Sequence, residues 1–283
     1  MLANSSLNMA LPLMATDLKL GQLEMTWVVN VYTLVFASLL FMAGAIGDRY
    51  GRKLAMQVGL GVFTVGSLYA GFIAQTGTEL IIARVVMGIG GAFVMPTTLS
   101  IINNTFPKGE RARAVAIWGA VAGIGMMIGS IVSGILLEYF TWHSLFYFSA
   151  AIAVIGLVAN HILSHESKDE EEAPVDWLGG VFSALGIFGI VYAVTEAPSK
   201  GLGEMGVLIG LIGGLIALVL FVLWQLRIKS PTLDMKLFKN RAFSISSLTL
   251  TLTFLAMSGV FFSMSQLMQL ILGYTALESS LLM

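Results

Sequence analysis

The chain has 283 residues, of which 57% are hydrophobic and 11% are Asp, Glu, Lys or Arg, against the roughly 25% of charged residues in a soluble domain. With a mean hydropathy of +0.88 and apolar blocks of about 20 residues, the length a helix needs to cross a bilayer, it reads as an all-α, polytopic membrane bundle. A β-barrel is excluded because its strands would alternate, a net charge of −1 leaves no electrostatic footprint for nucleic acid, and zero cysteines exclude thiol catalysis and iron–sulfur clusters.

Charged and turn-forming clusters cut the chain into nine apolar segments, at about 1–15, 27–46, 54–74, 79–105, 112–137, 143–163, 177–196, 205–226 and 242–271. The first is short and reads as the second half of a span. The chain stops at Leu281-Leu282-Met283, where another apolar run begins. Both ends are therefore expected to be cut. The expected organisation is a six-helix unit over 1–163 with a truncated first span, an acidic linker over 164–176 and a pair of spans over 177–226. A basic loop follows over 227–241, and a further span lies in 242–283.

Orientation follows from Lys and Arg in the short loops. With the loop after the second span inside, that side collects Arg49, Arg52, Lys53, Lys108, Arg111, Arg113, Lys168, Arg227, Lys229, Lys236, Lys239 and Arg241. The other side holds only Lys19 and Lys200. This predicts a multi-pass protein of the cell membrane with its original N-terminus in the cytoplasm and Met283 outside. The linker from His165 to Asp176, with its run Asp169-Glu170-Glu171-Glu172, reads as a solvated connector between helix groups.

The loop after the second span reads Gly44-Ala45-Ile46-Gly47-Asp48-Arg49-Tyr50-Gly51-Arg52-Lys53. Its glycines suit a tight reversal between helices, and Asp48 is placed to pair with an arginine of its own turn or with Arg111 or Arg113. Here the sequence resembles the major facilitator superfamily, whose pattern at this loop, G-x-x-x-D-R-x-G-R-R/K, is filled at every fixed position. Leu80 to Gly90, with Arg84 inside it, is similar to the family's fourth-helix motif. The stretches Asn8 to Pro12, Trp27 to Tyr32 and Glu138 to Phe146 resemble the drug:proton antiporter branch with fourteen spans, which includes the quaternary-ammonium multidrug exporters. The resemblance covers essentially the whole chain, and it implies that 177–226 is an inserted pair of spans and that 242–283 holds the first helix of a second bundle, cut at the start of the next span.

What the resemblance implies is a transporter rather than an enzyme, exporting small lipophilic, cationic compounds in exchange for protons, with no cofactor. Other readings stay open: a relative that moves neutral or anionic solutes, or a non-transporting membrane scaffold or sensor. Arg84 either takes part in proton coupling, as the resemblance implies, or snorkels from its place five residues after Glu79 to the outer interface. In the fifth span Gly119, Gly123, Gly125, Gly129, Ser133 and Gly134 resemble the antiporter motif. Gly125, Gly129 and Ser133 form a stripe for close helix approach, although Ser130 and Ser133 stand where that motif has Pro and Gly. A second stripe, Gly206, Gly210 and Gly214, carries no functional reading.

Many family members carry an acid at the position of Ala3 and some also at that of Asn30, and neither acid is present here. Glu138, Glu196 and Glu278 are expected near the outer ends of spans. The sequence Gly201-Leu202-Gly203-Glu204-Met205-Gly206 matches G-x-G-x-x-G, but no strand leads into it and no acid follows at the distance ribose binding needs. His143, His161 and His165 lack metal spacing, so no metal is expected. Candidate cavity residues are Asn8, Asn30, Tyr32, Met95 and Thr97, with Phe261, Phe262, Gln266 and Gln269 in the ninth segment, since Met and aromatic surfaces suit lipophilic cations.

Overall fold

A computed structural model describes residues 2–168, 175–275, 278, 279 and 282. Its helices are α1 (Leu2–Asp17), α2 (Gln22–Tyr50), α3 (Arg52–Phe72), α4 (Gly77–Thr105), α5 (Arg111–Tyr139), α6 (His143–Leu163), α7 (Trp177–Lys200), α8 (Met205–Gln225) and α9 (Arg241–Gln266). A 3₁₀ turn at Met235–Lys239 precedes α9, and a π-helical turn at Leu267–Ile271 follows it. Helices α2 to α9 are each long and apolar enough to cross a membrane. Among the described residues no strand occurs. The acidic run Asp169–Glu172 lies outside the described residues.

Local chemistry starts the helices where the turn residues stand. Thr76 Oγ1 accepts from Glu79 N, and Glu79 Oε2 accepts in return from Thr76 N. This reciprocal cap satisfies donors that an α-helix leaves unpaired. Asp176, Glu204 and Asn240 accept from the first turns of α7, α8 and α9 in the same way.

Helix α4 packs against both α2 and α3, α3 also against α6, and α1 against α5. Residues of α1, α2, α3, α4 and α6, among them Leu7, Val28, Ala70, Leu80 and Phe146, share one buried cluster toward the Glu79 end. The hairpin α7–α8 joins through α7, which packs on α2. The α3–α4 crossing brings backbones together: a Cβ on Gly59 would lie 2.8 Å from Gly90 O, and one on Gly90 2.5 Å from Gly59 O. Lipid is as apolar as the helices, so such close approach replaces the hydrophobic drive that holds helices together in water. Gly189, Gly210 and Gly214 give the α7–α8 hairpin the same kind of contact.

Two expectations change. The signature stretch is not a loop: α2 continues through Gly44 and Gly47 to Tyr50, and Gly51 alone makes the reversal. Gly44 and Gly47 are small because Pro96 and Thr97 of α4 lie against them, 3.3 Å and 2.8 Å from where a Cβ would stand. The stripe on α5 also divides. Gly129, Ser133 and Gly134 are buried, whereas nothing lies within 4 Å of a Cβ on Gly119, Gly123 or Gly125. Gly125 therefore makes no close helix contact.

These two kinds of glycine predict opposite outcomes. Gly90→Val should cost about 1–3 kcal/mol through overpacking and lower the melting temperature of the purified chain. Gly125→Ala, in open space within a helix, should be neutral or stabilise by up to about 1 kcal/mol.

Candidate functional site

The reversal at Gly51 has φ +126° and ψ 126°, a conformation that side chains with a Cβ disfavour. A Cβ there would also lie 2.7 Å from Glu166 Oε1. Glu166 stands against the turn because its carboxylate caps α3, accepting from Lys53 N at 3.1 Å and Leu54 N at 3.2 Å. Arg52 N donates to Ser167 O, Asn160 Nδ2 to Lys53 O and Lys53 Nζ to His161 O. The chain after α6 thus grips the start of α3, so the first residues of the segment read as a bland connector are a structural clamp. Local pattern gave no sign of Glu166, whose partners lie 112 and 113 residues away.

Within this turn Arg52 Nε donates to Asp48 Oδ1 at 2.7 Å, and Ser100 Oγ of α4 donates to the same oxygen at 3.0 Å. Asp48 therefore pairs inside its own turn. Arg111 Nε donates instead to Phe106 O, beyond the end of α4. The Asp48 side chain is 40% exposed, so this ion pair contributes only about 0.2–1 kcal/mol to stability. Arg49 lies over the Tyr50 ring, 5.7 Å from its centroid.

At the other end of α2 and α4, Arg84 is fully buried. It does not snorkel. Its Nε donates to Val28 O at 3.1 Å and its Nη2 to Val29 O at 3.4 Å, both on α2. The guanidinium also lies 4.5 Å from the centroid of the Tyr32 ring. A central arginine costs about 2.5–3.5 kcal/mol to insert, and a desolvated cation–π contact of about 2 kcal/mol offsets much of that. Tyr32 stacks on Phe36 and meets Phe63 edge-on, which fixes its ring over the cation.

Of the remaining cavity candidates, those with described side chains are not brought together. Thr97 is buried, with Oγ1 donating to carbonyls of its own helix, and it packs on Gly47. Asn30 is half-buried on α2. Met95 lines a cleft of about 580 Å³ at the Asp48 end, with Phe41, Trp118, Asp48 and Lys229. Phe261 is 50% exposed on α9, none of whose described side chains is buried and which packs, among the described residues, chiefly against its two flanking short turns. The side chains of Asn8, Phe262, Gln266 and Gln269 lie outside the described residues.

Two buried acids were not expected. Asp176 accepts from Gly179 N, Trp224 Nε1 and Gln225 Nε2, which ties the start of α7 to the end of α8. Glu196, expected near an outer end, is in the last turns of α7 but only 2% exposed. Its signal was an acid four residues before Lys200, with which it forms an ion pair of 3.0 Å.

The turn predicts its own weak points. Gly51→Ala should destabilise by about 1–3 kcal/mol through backbone strain, and Glu166→Ala by about 1 kcal/mol through the lost cap. Thermal unfolding of the purified variants checks both; unchanged melting would contradict the clamp.

Comparison with known proteins gives the family. The chain is 37% identical over 279 residues to the multidrug efflux pump LfrA of Mycolicibacterium smegmatis, covering 98% of the chain and 55% of that protein. It is 33% identical to the puromycin resistance protein pur8 of Streptomyces alboniger, over 95% of the chain and 53% of that protein. It is 32% identical to the riboflavin transporter RibZ of Clostridioides difficile, over 87% and 53%. The chain spans about half the length of the curated relatives it matches. A crystal structure of the peptide transporter POT with sulfate shares the fold at a TM-score of 0.58 and 16% identity, over 98% of this chain and 61% of that one. The model of the Major Facilitator Superfamily matches residues 1–283, and with its filled turn motif and buried fourth-helix arginine the chain belongs to that family of multi-pass membrane transporters.

Proposed function

We propose that the chain supplies part of an exporter of lipophilic, cationic compounds in the cell membrane, driven by proton antiport through alternating access. The observation that carries this reading is the 37% identity to a multidrug efflux pump along 98% of the chain. On this reading 1–163 is the first bundle, 177–226 an inserted pair and 242–283 the opening of the second bundle. The share of the relatives' length that is matched supports a second bundle completing the transporter. The twelve-to-two distribution of Lys and Arg supports a cytoplasmic Asp48 end. Asp48 and Arg52 then belong to the cytoplasmic gate, and Arg84 to proton coupling.

Each proposed part has a physical role. The turn Gly44, Gly47, Asp48, Arg49, Gly51, Arg52 and Lys53 joins α2 to α3 rigidly, so both helices move together when the bundle rocks. Arg84 is a fixed buried positive charge, which a nearby proton or cationic substrate would feel strongly in a low dielectric. Transport of a neutral solute is a second reading, favoured by Ala3 and Asn30 standing at two acidic family positions and by the similarity to a riboflavin transporter.

Efflux of a fluorescent lipophilic cation from vesicles holding the complete transporter tests the proposal. Gradient-driven export is expected for the wild type, and Asp48→Asn should slow it roughly 5- to 150-fold, the span of a coupling of about 1–3 kcal/mol. Residues 1–283 alone should give no efflux, because alternating access needs two bundles. A complete transporter that moves only a neutral solute such as riboflavin overturns the cation reading.

A further inference from the structure

The two buried acids of the α7–α8 hairpin differ in reach. Asp176 is used within the hairpin and its following loop, through Gly179, Trp224, Gln225 and Thr232. Glu196 reaches out of it. Its Oε1 accepts from Trp27 Nε1 on α2, while Oε2 faces Lys200. The Trp27 ring lies against Tyr192 at 5.9 Å, and Phe188 stacks behind Tyr192 at 6.2 Å. Glu204 is turned to the first turn of α8, where it accepts from Val207 N. Glu24, three residues before Trp27, is turned to Gly21 N and Gly77.

Trp27 is also the residue before Val28 and Val29, whose carbonyls hold Arg84, and it stands five residues before Tyr32, whose ring covers the guanidinium. Little more than one turn of α2 therefore carries the link to Glu196 on one side and the cradle of Arg84 on the other. A hydrogen-bonded helical turn moves as a unit, so fixing the Trp27 indole fixes the two carbonyls that follow it. Phe could fill the space of Trp27 without the N–H. The anchoring therefore depends on the carboxylate acceptor and not on aromatic packing alone.

We propose that Glu196 is a positioning residue for Arg84, acting through Trp27 and the Val28–Tyr32 turn of α2. The inserted pair is then a working part of the bundle, holding the α2 segment that orients the buried arginine. The consequence for transport rests on the reading of Arg84 as the coupling group; the structural link does not.

Solid-state NMR of the 283-residue chain in phosphatidylcholine/phosphatidylglycerol vesicles, labelled with ¹⁵N-arginine, tests the link. Loss of one Nε signal in Arg84→Lys identifies Arg84, and Arg52, at the other end of α2, is the reference. Glu196→Ala and Trp27→Phe should each shift the Arg84 signal and leave Arg52 in place, and the double variant should shift it no further than either single one. Glu196→Gln keeps an acceptor for the indole and should restore the wild-type position. An Arg84 signal unmoved in Trp27→Phe, an unrestored shift in Glu196→Gln, or a common shift of Arg52 and Arg84 would each overturn the proposal. Should Arg84→Gln leave efflux by the complete transporter intact, the coupling reading fails, while the NMR result still decides whether Glu196 positions the arginine.

Discussion

Helix α2 is held from three directions, and the rest of the bundle is arranged around that constraint. On one side α4 approaches through Gly88 and Gly91, where added Cβ atoms would stand 2.9 Å from Tyr32 O and 2.8 Å from Tyr32 Oη. At its end Gly51 turns it directly into α3. On a third side α7 meets it from Trp27 at one end to Met42 near the other, and Phe221 of α8 stacks on Phe41. Hydrocarbon offers no hydrophobic drive to hold helices together. Close backbone approach and a small number of polar contacts must do it, and α2 has both.

The polar contacts are concentrated at the two ends of α2, which gives the helix two different characters. At the Asp48 end they are half-exposed and joined to the chain after α6 through Glu166, so the turn is rigid and still open to water. At the Trp27 end a buried positive charge meets backbone carbonyls and an aromatic face. The helix therefore carries a half-exposed, charged end and a buried end bearing a cation.

Much of this was legible in the sequence, for physical reasons that also explain the rest. Apolar blocks of bilayer length mark α2 to α9 to within a few residues, because lipid leaves the backbone no alternative to a helix. The turn motif located Asp48 and Arg52, but its glycines misled: Gly44 and Gly47 serve packing against Pro96 and Thr97, and only Gly51 bends the chain. Small residues look the same in both uses until the neighbouring helix is known. Gly125 and Gly129 carry the same lesson on α5, one open and one buried. Glu166, Asp176 and Glu196 were missed as links between helices because their partners on other helices are 48 to 169 residues away, although Lys200 gave Glu196 a local partner. Arg84 was recognisable as unusual, while its partners were not, since backbone carbonyls and a tyrosine leave no charge signal.

The docking of α7 on α2 is the most direct point at which to test this account. An ideal Cβ on Gly180 would lie 3.3 Å from Met42 Cβ, close to the separation of about 3.5–4.5 Å that a disulfide spans, and the chain has no cysteine of its own. Met42→Cys paired with Gly180→Cys should cross-link readily in native membranes on mild oxidation. Met42→Cys paired with Val181→Cys, whose second side chain points away and is 46% exposed, should not. Equal cross-linking of both pairs, or none in the first, would contradict an α7–α8 hairpin fastened to α2.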